Sequence, residues 1–413
     1  MFTCNGNVSK NEFFETNSHE LQQQPYNDTY SIFRQWQYTP LANYVRTTNH
    51  PGQNFTFISY NILAQDLLEE HSHIYKYHDS RFMNWTTRLQ NLQREILTLR
   101  PDILCLQEVQ SDHLSTIVES LNRLNMSYVY KKKVSFRNDG CAILFNRNLF
   151  QLIFKRTVEY LQPKGADHLD RDNVGLIAKF QLIGNPNVTF LIATTHLLYN
   201  PRREDVRLAQ IQLLLAEIDR YSIDDDGKRI PVILSGDFNS VPESATLHLL
   251  KNGHLNYENL SRNTLSLDDN QGIVGKVFLP SSIGITDSCQ HVDLVNSHYK
   301  ANRTRIFNSE YANNTGNVEE DLQAKFPDQF STGNLTHDFK FSTPQPLGVN
   351  QASTFQEEWL NVDYIFYSGS ELKLVANYNL PTKENCSRMG FIPNRDLGSD
   401  HLSMGAKFFL EHN

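Results

Sequence analysis

The chain has 413 residues, 39% of them apolar and 11% aromatic, with a formal net charge of −8 at pH 7. That apolar content supports a sizeable core and excludes wholesale disorder. The acidic balance excludes a globally basic nucleic-acid binder, so any polyanion must meet lysines and arginines gathered locally.

Residues 1 to about 28 are polar and irregular, with Gln22-Gln23-Gln24-Pro25, and are expected to be disordered. Tyr30, Phe33, Trp36, Tyr38 and Tyr44 make the next stretch too aromatic for a free tail, so it reads as a strap on a single domain spanning 29–413. Phe55 to Leu63 reads as a strand. Asn84 reads as the N-cap of a helix with Leu89, Leu92, Ile96 and Leu99 on one face, stopped by Pro101. Ile103 to Val109 is a buried strand, followed by a helix with Leu114, Ile117, Leu121 and Leu124. Strands are predicted at about 127–134, 140–146, 150–160, 173–183 and 187–197. A helix with Leu208, Ile211, Leu215 and Ile218 follows, then a turn at 224–227 and the strand Pro231 to Gly236. From about 255 to 355 periodicity is lost, which reads as a long irregular insertion. Strands return near 361–368, 371–378 and 401–410. Neighbouring strands with few crossover helices between them give an α/β class with mixed sheets.

The cysteines, Cys4, Cys105, Cys141, Cys289 and Cys386, are scattered and form no Cys-x-x-Cys pair, which fits a reducing compartment. The N-terminus reads as neither a secretory signal nor a mitochondrial presequence, and no stretch reaches membrane-spanning length. Asn-x-Ser/Thr triplets such as Asn54-Phe55-Thr56 read as chance in an Asn-rich chain.

Apolar strands that end in one acid, amide or imidazole recur along the chain. They are Ser59-Tyr60-Asn61-Ile62-Leu63, Leu106-Gln107-Glu108-Val109, Thr195-His196-Leu197, Ser235-Gly236-Asp237-Phe238-Asn239, Val362-Asp363-Tyr364 and Gly398-Ser399-Asp400-His401-Leu402. Strand ends deliver rigidly placed polar groups into a cleft, and several carboxylates converging there require a cation. Oxygen ligation suits Mg²⁺, or Mn²⁺, better than zinc. Glu108 is the expected principal metal ligand, with Asn61 beside it. Asp237 and Asn239, at i and i+2, are expected on one face, Asp237 to activate water and Asn239 to orient a phosphate. Asp400 and His401 are adjacent and point apart, so His401 needs another partner; Asp363 is the candidate, while Asp400 serves the metal through water. His196 would donate to a phosphate oxygen. Alone, Gly236-Asp237 reads equally as a tight turn and His196 as structural; their company is what favours chemistry. Lys133 in the run 131–133, Arg171, Arg202 and Arg203 suggest a phosphate-binding collar, and Tyr199 a base-stacking ring, although each also fits an ordinary surface or packing role.

The phrases Ser59-Tyr60-Asn61-Ile62-Leu63-Ala64-Gln65-Asp66-Leu67-Leu68-Glu69, Cys105-Leu106-Gln107-Glu108-Val109-Gln110, Leu169-Asp170-Arg171-Asp172-Asn173-Val174-Gly175 and Thr195-His196-Leu197-Leu198-Tyr199-Asn200-Pro201-Arg202-Arg203 carry a family likeness. Over about 54–260 and 361–410 the chain resembles the Angel proteins of the endonuclease/exonuclease/phosphatase superfamily, relatives of nocturnin and the deadenylase catalytic subunits. The resemblance implies a four-layer α/β/β/α sandwich and adds Asn173 to the site. It further implies a Mg-dependent, cytoplasmic or nuclear enzyme acting on RNA 3′ ends, hydrolysing 2′,3′-cyclic phosphate to a diol. The alternative is a 3′→5′ poly(A) exonuclease; a silent RNA-binding scaffold is a third reading, although every motif position is filled. Some Angel proteins bind a cap-binding translation factor through a Tyr-x-x-x-x-Leu-apolar motif. No such heptad stands here, so that partner is not expected.

Overall fold

The computed structural model describes residues 34–48, 51–162, 167–224, 226–267, 272–295, 330–348 and 350–412. The strands are β1 Trp36–Tyr38, β2 Gly52–Asn61, β3 Ile103–Gln107, β4 Met126–Lys132, β5 Gly140–Asn146, β6 Phe150–Glu159, β7 Val174–Leu182, β8 Asn185–His196, β9 Val232–Asp237, β10 His254–Asn256, β11 Asn334–Thr336, β12 Thr354–Gln356, β13 Glu358–Leu360, β14 Asp363–Ser368, β15 Leu372–Tyr378 and β16 Met404–Glu411. The helices are α1 Pro40–Thr48, α2 Gln65–Glu70, α3 Trp85–Leu99, α4 Leu114–Ser120, α5 Glu204–Tyr221, α6 Ala245–Asn252 and α7 Lys383–Met389.

A seven-stranded sheet runs β1-β15-β16-β2-β3-β5-β4, and a five-stranded sheet runs β14-β9-β8-β7-β6. Each has a parallel pair, β2·β3 in one and β8·β9 in the other, among antiparallel neighbours. Strand alternation explains how the sheets stack. Phe55 and Phe57 of β2, Ile103 and Cys105 of β3, Phe190 and Ile192 of β8, Ile233 of β9 and Ile365 of β14 share the core between the sheets. The opposite parity, Ile58, Tyr60, Leu104 and Leu106, packs against Leu92 and Ile96 of α3 and Ile117 of α4. On the other sheet Leu191, Ala193, Val232 and Leu234 pack against α5 and α6. The result is the four-layer α/β/β/α sandwich. Among the described residues no helix is long and apolar enough to cross a membrane.

The Asn84 side chain accepts a hydrogen bond from Thr87 N and caps α3 as expected. The aromatic strap becomes β1, which pairs with β15, followed by α1; Tyr30 and Phe33, the expected disordered tail and Cys4 lie outside the described residues. The described parts of 255–355 hold only short regular elements, yet they are packed on the domain. Tyr257, Leu265, Phe278, Leu279, Ile285, Leu335 and Phe339 are buried beside α5 and α6. Gln212 of α5 donates to Thr286 O at 3.2 Å and Glu217 faces His291 at 3.4 Å, so this segment covers the outward face of α5. That explains why α5 is buried nearly all round rather than along one stripe. Cys105, Cys141, Cys289 and Cys386 are buried free thiols.

Candidate active site

The apolar layer between the sheets turns polar at one end. Gln107 donates to Ser59 Oγ within its own sheet (3.3 Å) and to Thr194 Oγ1 of the facing sheet (2.9 Å). One residue further along, the chemistry-bearing groups converge. Pairing sets His196 beside Asp237 and Asp237 beside Asp363, so three neighbouring strands present these side chains in one row. Their odd–even positions match those of Ile192, Ile233 and Ile365, which is why they face the other sheet and Asn61.

Glu108 follows the end of β3. Continued alternation would send it toward α3 with Leu104 and Leu106, but its φ of +59° turns it inward. Its carboxylate accepts from Asn61 Nδ2 at 2.9 Å and from Ala64 N at 2.8 Å. Asn61 Nδ2 also donates to Asp237 Oδ2 at 3.0 Å, so one amide bridges acids from the two sheets. Asn61 thus sits beside Glu108 as expected; its Oδ1 accepts from Leu63 N, and its nitrogen faces the acids.

Two imidazoles flank Asp237. His196 Nε2 lies 3.6 Å and His401 Nε2 3.7 Å from Asp237 Oδ2. His401 Nδ1 is 2.8 Å from Asp363 Oδ2, the expected pair, and Ser353 Oγ donates to the same oxygen at 2.7 Å. Burial opposes the charged form of His401, but Asp363, Asp237 and Asp400 outweigh it and hold the imidazole well above its ordinary pKa. His196 goes the other way: burial pushes it down to about 3, so it is neutral at pH 7. Burial and then Asp363 raise Asp237 above the usual carboxylate range. Glu108 is pushed up to about 7 by burial, Asp400 and Asp139.

The donor set fits a hard divalent cation. Glu108, His196 and Asp237 place ligand atoms within 4.8 Å of one another, as do Asp237, Asp363 and His401. In the second group the imidazole is already tied to Asp363, which leaves the Glu108 end as the place for an ion. A buried carboxylate raised to about 7 by burial and like charge is a group whose ionised form a cation would stabilise. His196 Nδ1, buried with no hydrogen-bond partner among the described residues, is 3.9 Å from Glu108 Oε1.

The other expected residues divide. Asp400 accepts from Tyr75 OH at 2.7 Å and bears electrostatically on Glu108. Asn239 departs from the parity argument: β9 ends at Asp237, Asn239 has φ +50°, and its amide donates to Leu197 O at 3.0 Å. Asn173 donates to His196 O at 3.1 Å and accepts from Gln210 at 3.2 Å, bracing the strand end. Lys133 is no rim lysine; it is buried, pairs with Asp139 at 2.8 Å and reaches Glu108 electrostatically. Arg171 pairs with Asp170 and Arg203 with Asp205, so only Arg202 of the expected collar arginines is exposed without an ionic partner among the described residues. Tyr199 is 54% exposed, and partial burial, then Asp400 and Glu357, raise its pKa above the ordinary tyrosine value.

Sequence reading missed Tyr75, Ser353 and Arg88. Arg88 is fully buried, and donates to Gly398 O (2.9 Å), Gln65 Oε1 (2.8 Å), Ile62 O (2.7 Å) and Leu63 O. Its signal was available: Arg88 stands on the buried stripe with Leu92, Ile96 and Leu99. Ser353 and Tyr75 lie in segments with no periodic pattern to place them.

Residues 58–401 match the model of the Endonuclease/Exonuclease/phosphatase family. Protein angel homolog 2 of Mus musculus is 33% identical over 425 residues, covering 92% of this chain and 76% of that protein. Protein angel of Drosophila melanogaster is 35% identical over 388 residues, covering 91% and 86%. Among solved structures, ANGEL2, a 2′,3′-cyclic phosphatase, in complex with adenosine-2′,3′-vanadate, is 34% identical with a TM-score of 0.74, covering 92% of this chain and 99% of that one. The human Nocturnin catalytic domain, 22% identical with a TM-score of 0.51 over 91% of this chain and 97% of its own, shares the fold.

Proposed function

The chain belongs to the Endonuclease/Exonuclease/phosphatase family, on its Angel branch, and from that premise we propose that it is a Mg²⁺-dependent phosphatase of RNA 3′ ends, its catalytic domain spanning 29–413. It opens a terminal 2′,3′-cyclic phosphate and then removes the remaining 2′- or 3′-phosphate, leaving a diol. The observation that carries this reading is Asp237 held between the His196 and His401 imidazoles, with the Glu108 carboxylate one amide bridge away. The likeness to ANGEL2 supports the choice of a cyclic phosphate.

A bound Mg²⁺, or Mn²⁺ in its place, would withdraw electron density from the phosphate oxygens; Glu108 would hold it, with Asp400 alongside. Asp237 accepts the proton of the attacking water. The water oxygen joins phosphorus, one ring P–O bond breaks, and the freed ribose oxygen takes a proton from solvent. His401, kept protonated by Asp363, stabilises the charge that builds on the phosphate oxygens. His196, neutral, donates an N–H to one of those oxygens, and Asn239 and Arg202 orient the phosphate.

The test uses two short RNAs, one ending in 2′,3′-cyclic phosphate and one in a 3′-OH oligo(A) tail, each with Mg²⁺. Conversion of the cyclic end to a diol without shortening, lost with EDTA and in Glu108→Ala, is the expected result. A ladder of shortened oligo(A) with the cyclic end untouched makes the protein a deadenylase instead. Mg-dependent turnover that survives Glu108→Ala removes Glu108 from the metal assignment.

A further inference from the structure

Beside the catalytic end of the sandwich, two loops form the walls of a cleft of about 430 Å³. One loop follows α2 and carries Lys76, Tyr77, His78 and Arg81; the other follows α7 and carries Phe391 and Arg395. Tyr77 is 72% and Phe391 45% exposed, a large aromatic surface to leave in water. Their rings are 25° from parallel with centroids 6.5 Å apart, a loosely stacked rather than an edge-to-face pair. His78 joins the walls: Nε2 lies 3.0 Å from Ile392 O, and its ring centroid is 5.2 Å from that of Phe391.

Cations surround these rings. Lys76 Nζ sits 4.8 Å over the Tyr77 ring and has no acidic partner among the described residues. Arg81 and Arg395 are held by Asp79 and Asp396, yet their side chains stay 79% and 59% exposed. The cleft is also linked to the site through packed side chains. Phe391 packs on Phe355 at 5.3 Å, and Phe355 N donates to Asp400 O at 3.0 Å. His78 packs on Tyr75 at 5.2 Å, whose hydroxyl donates to the Asp400 carboxylate. Each wall is therefore one side chain removed from Asp400.

Exposed aromatic faces interleaved with solvent-facing cations are the chemistry that seats single-stranded nucleic acid, through base stacking and phosphate contact. Taking RNA as the substrate from the reading above, we propose that the Tyr77–Phe391 platform seats the single-stranded RNA just 5′ of the terminal nucleotide. The terminal phosphate is then gripped by the catalytic strand ends, while the preceding bases lie on the aromatic surface. The platform gives affinity for a chain over a mononucleotide without reading sequence, since every base has a stackable face.

The test compares a hexanucleotide ending in 2′,3′-cyclic phosphate with a mononucleoside 2′,3′-cyclic phosphate, using wild type, Tyr77→Ala, Phe391→Ala and Tyr77→Trp. For the hexanucleotide, each alanine variant should raise KM by about tenfold, and Tyr77→Trp should restore it. Turnover of the mononucleoside substrate should be unaffected. Equal losses on both substrates would mean damage to the site and overturn the proposal. No change on the hexanucleotide overturns it too and leaves the patch to a protein partner. If wild type hydrolyses neither substrate, the phosphatase reading fails by itself. Fluorescence anisotropy with a labelled hexanucleotide then decides the platform: weaker binding by the alanine variants upholds it, and equal binding overturns it.

Discussion

On the reading proposed above, Glu108 is where proton and cation compete. Its folded pKa of about 7 lies above the ordinary glutamate value of 4.5, so the cation-free fold binds this proton more tightly than the unfolded chain does. The ionised carboxylate therefore destabilises that fold above about pH 7, and the penalty fades as pH falls toward 4.5. A bound cation reverses the sign by favouring the ionised form. Mg²⁺ should thus raise Tm more at about pH 8 than at about pH 5.5, and Glu108→Gln should abolish the difference; a thermal scan across pH checks this. The His401 pKa is raised as well, but there the charged form gains: burial opposes it, and Asp363 and Asp237 outweigh burial. Asp363→Asn removes the nearest carboxylate, so His401 loses its proton at lower pH and the alkaline limb of the kcat profile moves down. A drop in kcat of about 10²–10⁴-fold with a smaller change in KM is expected from steady-state kinetics. The pairing of Asp363 with His401 was legible because the adjacency of Asp400 and His401 excludes them from pairing with each other. The burial of Lys133 was not, since nothing in a run of lysines says which one turns inward to meet Asp139.

Strand and turn divide what the sequence could tell. Asn61, His196, Asp237 and Asp363 lie within strands, so period-two alternation placed all of them on the inter-sheet face. Glu108 and Asn239 lie one and two residues beyond strand ends, in left-handed backbone, where alternation no longer applies. Leu63, two residues past β2, has φ +56°, so left-handed residues follow the ends of β2, β3 and β9 around the site. Gly236 belongs to the same device: φ is +145°, and a Cβ there would meet Thr195 O at 2.0 Å. Close approach of β8 and β9 at this point is what brings His196 to Asp237. Gly236→Ala should cost at least about 1–3 kcal/mol, read by urea denaturation, and should lower activity beyond the fraction unfolded. Short elements such as β12, β13 and α7 escaped the sequence reading because three to seven residues are too few to show a period.

At the scale of the whole molecule, the site depends on elements far apart in the chain being locked together. Arg88 ties α3 to the turn after β2 and to Gly398, just before Asp400 and His401. Burial draws its pKa down to about 10, which leaves it charged at pH 7. Arg88→Ala strands its carbonyl partners without a donor and should cost about 3–5 kcal/mol in chemical denaturation. Arg88→Lys should recover little, because a point charge cannot reach acceptors on several sides as a guanidinium does. Composition and periodicity made the layers legible, but not the covering of α5 by the segment after α6, whose apolar residues are too irregularly spaced to predict burial. The placement of β16 has a consequence for how such an enzyme comes into being. This strand inserts between β2 and β15, and the segment leading into it brings His401 to Asp237, which was supplied well over a hundred residues earlier. Synthesis runs from the other end, so Glu108 and Asp237 leave the ribosome long before the imidazole that completes them. On the reading proposed above, a nascent chain is chemically silent until the segment carrying His401 has folded back onto the two sheets.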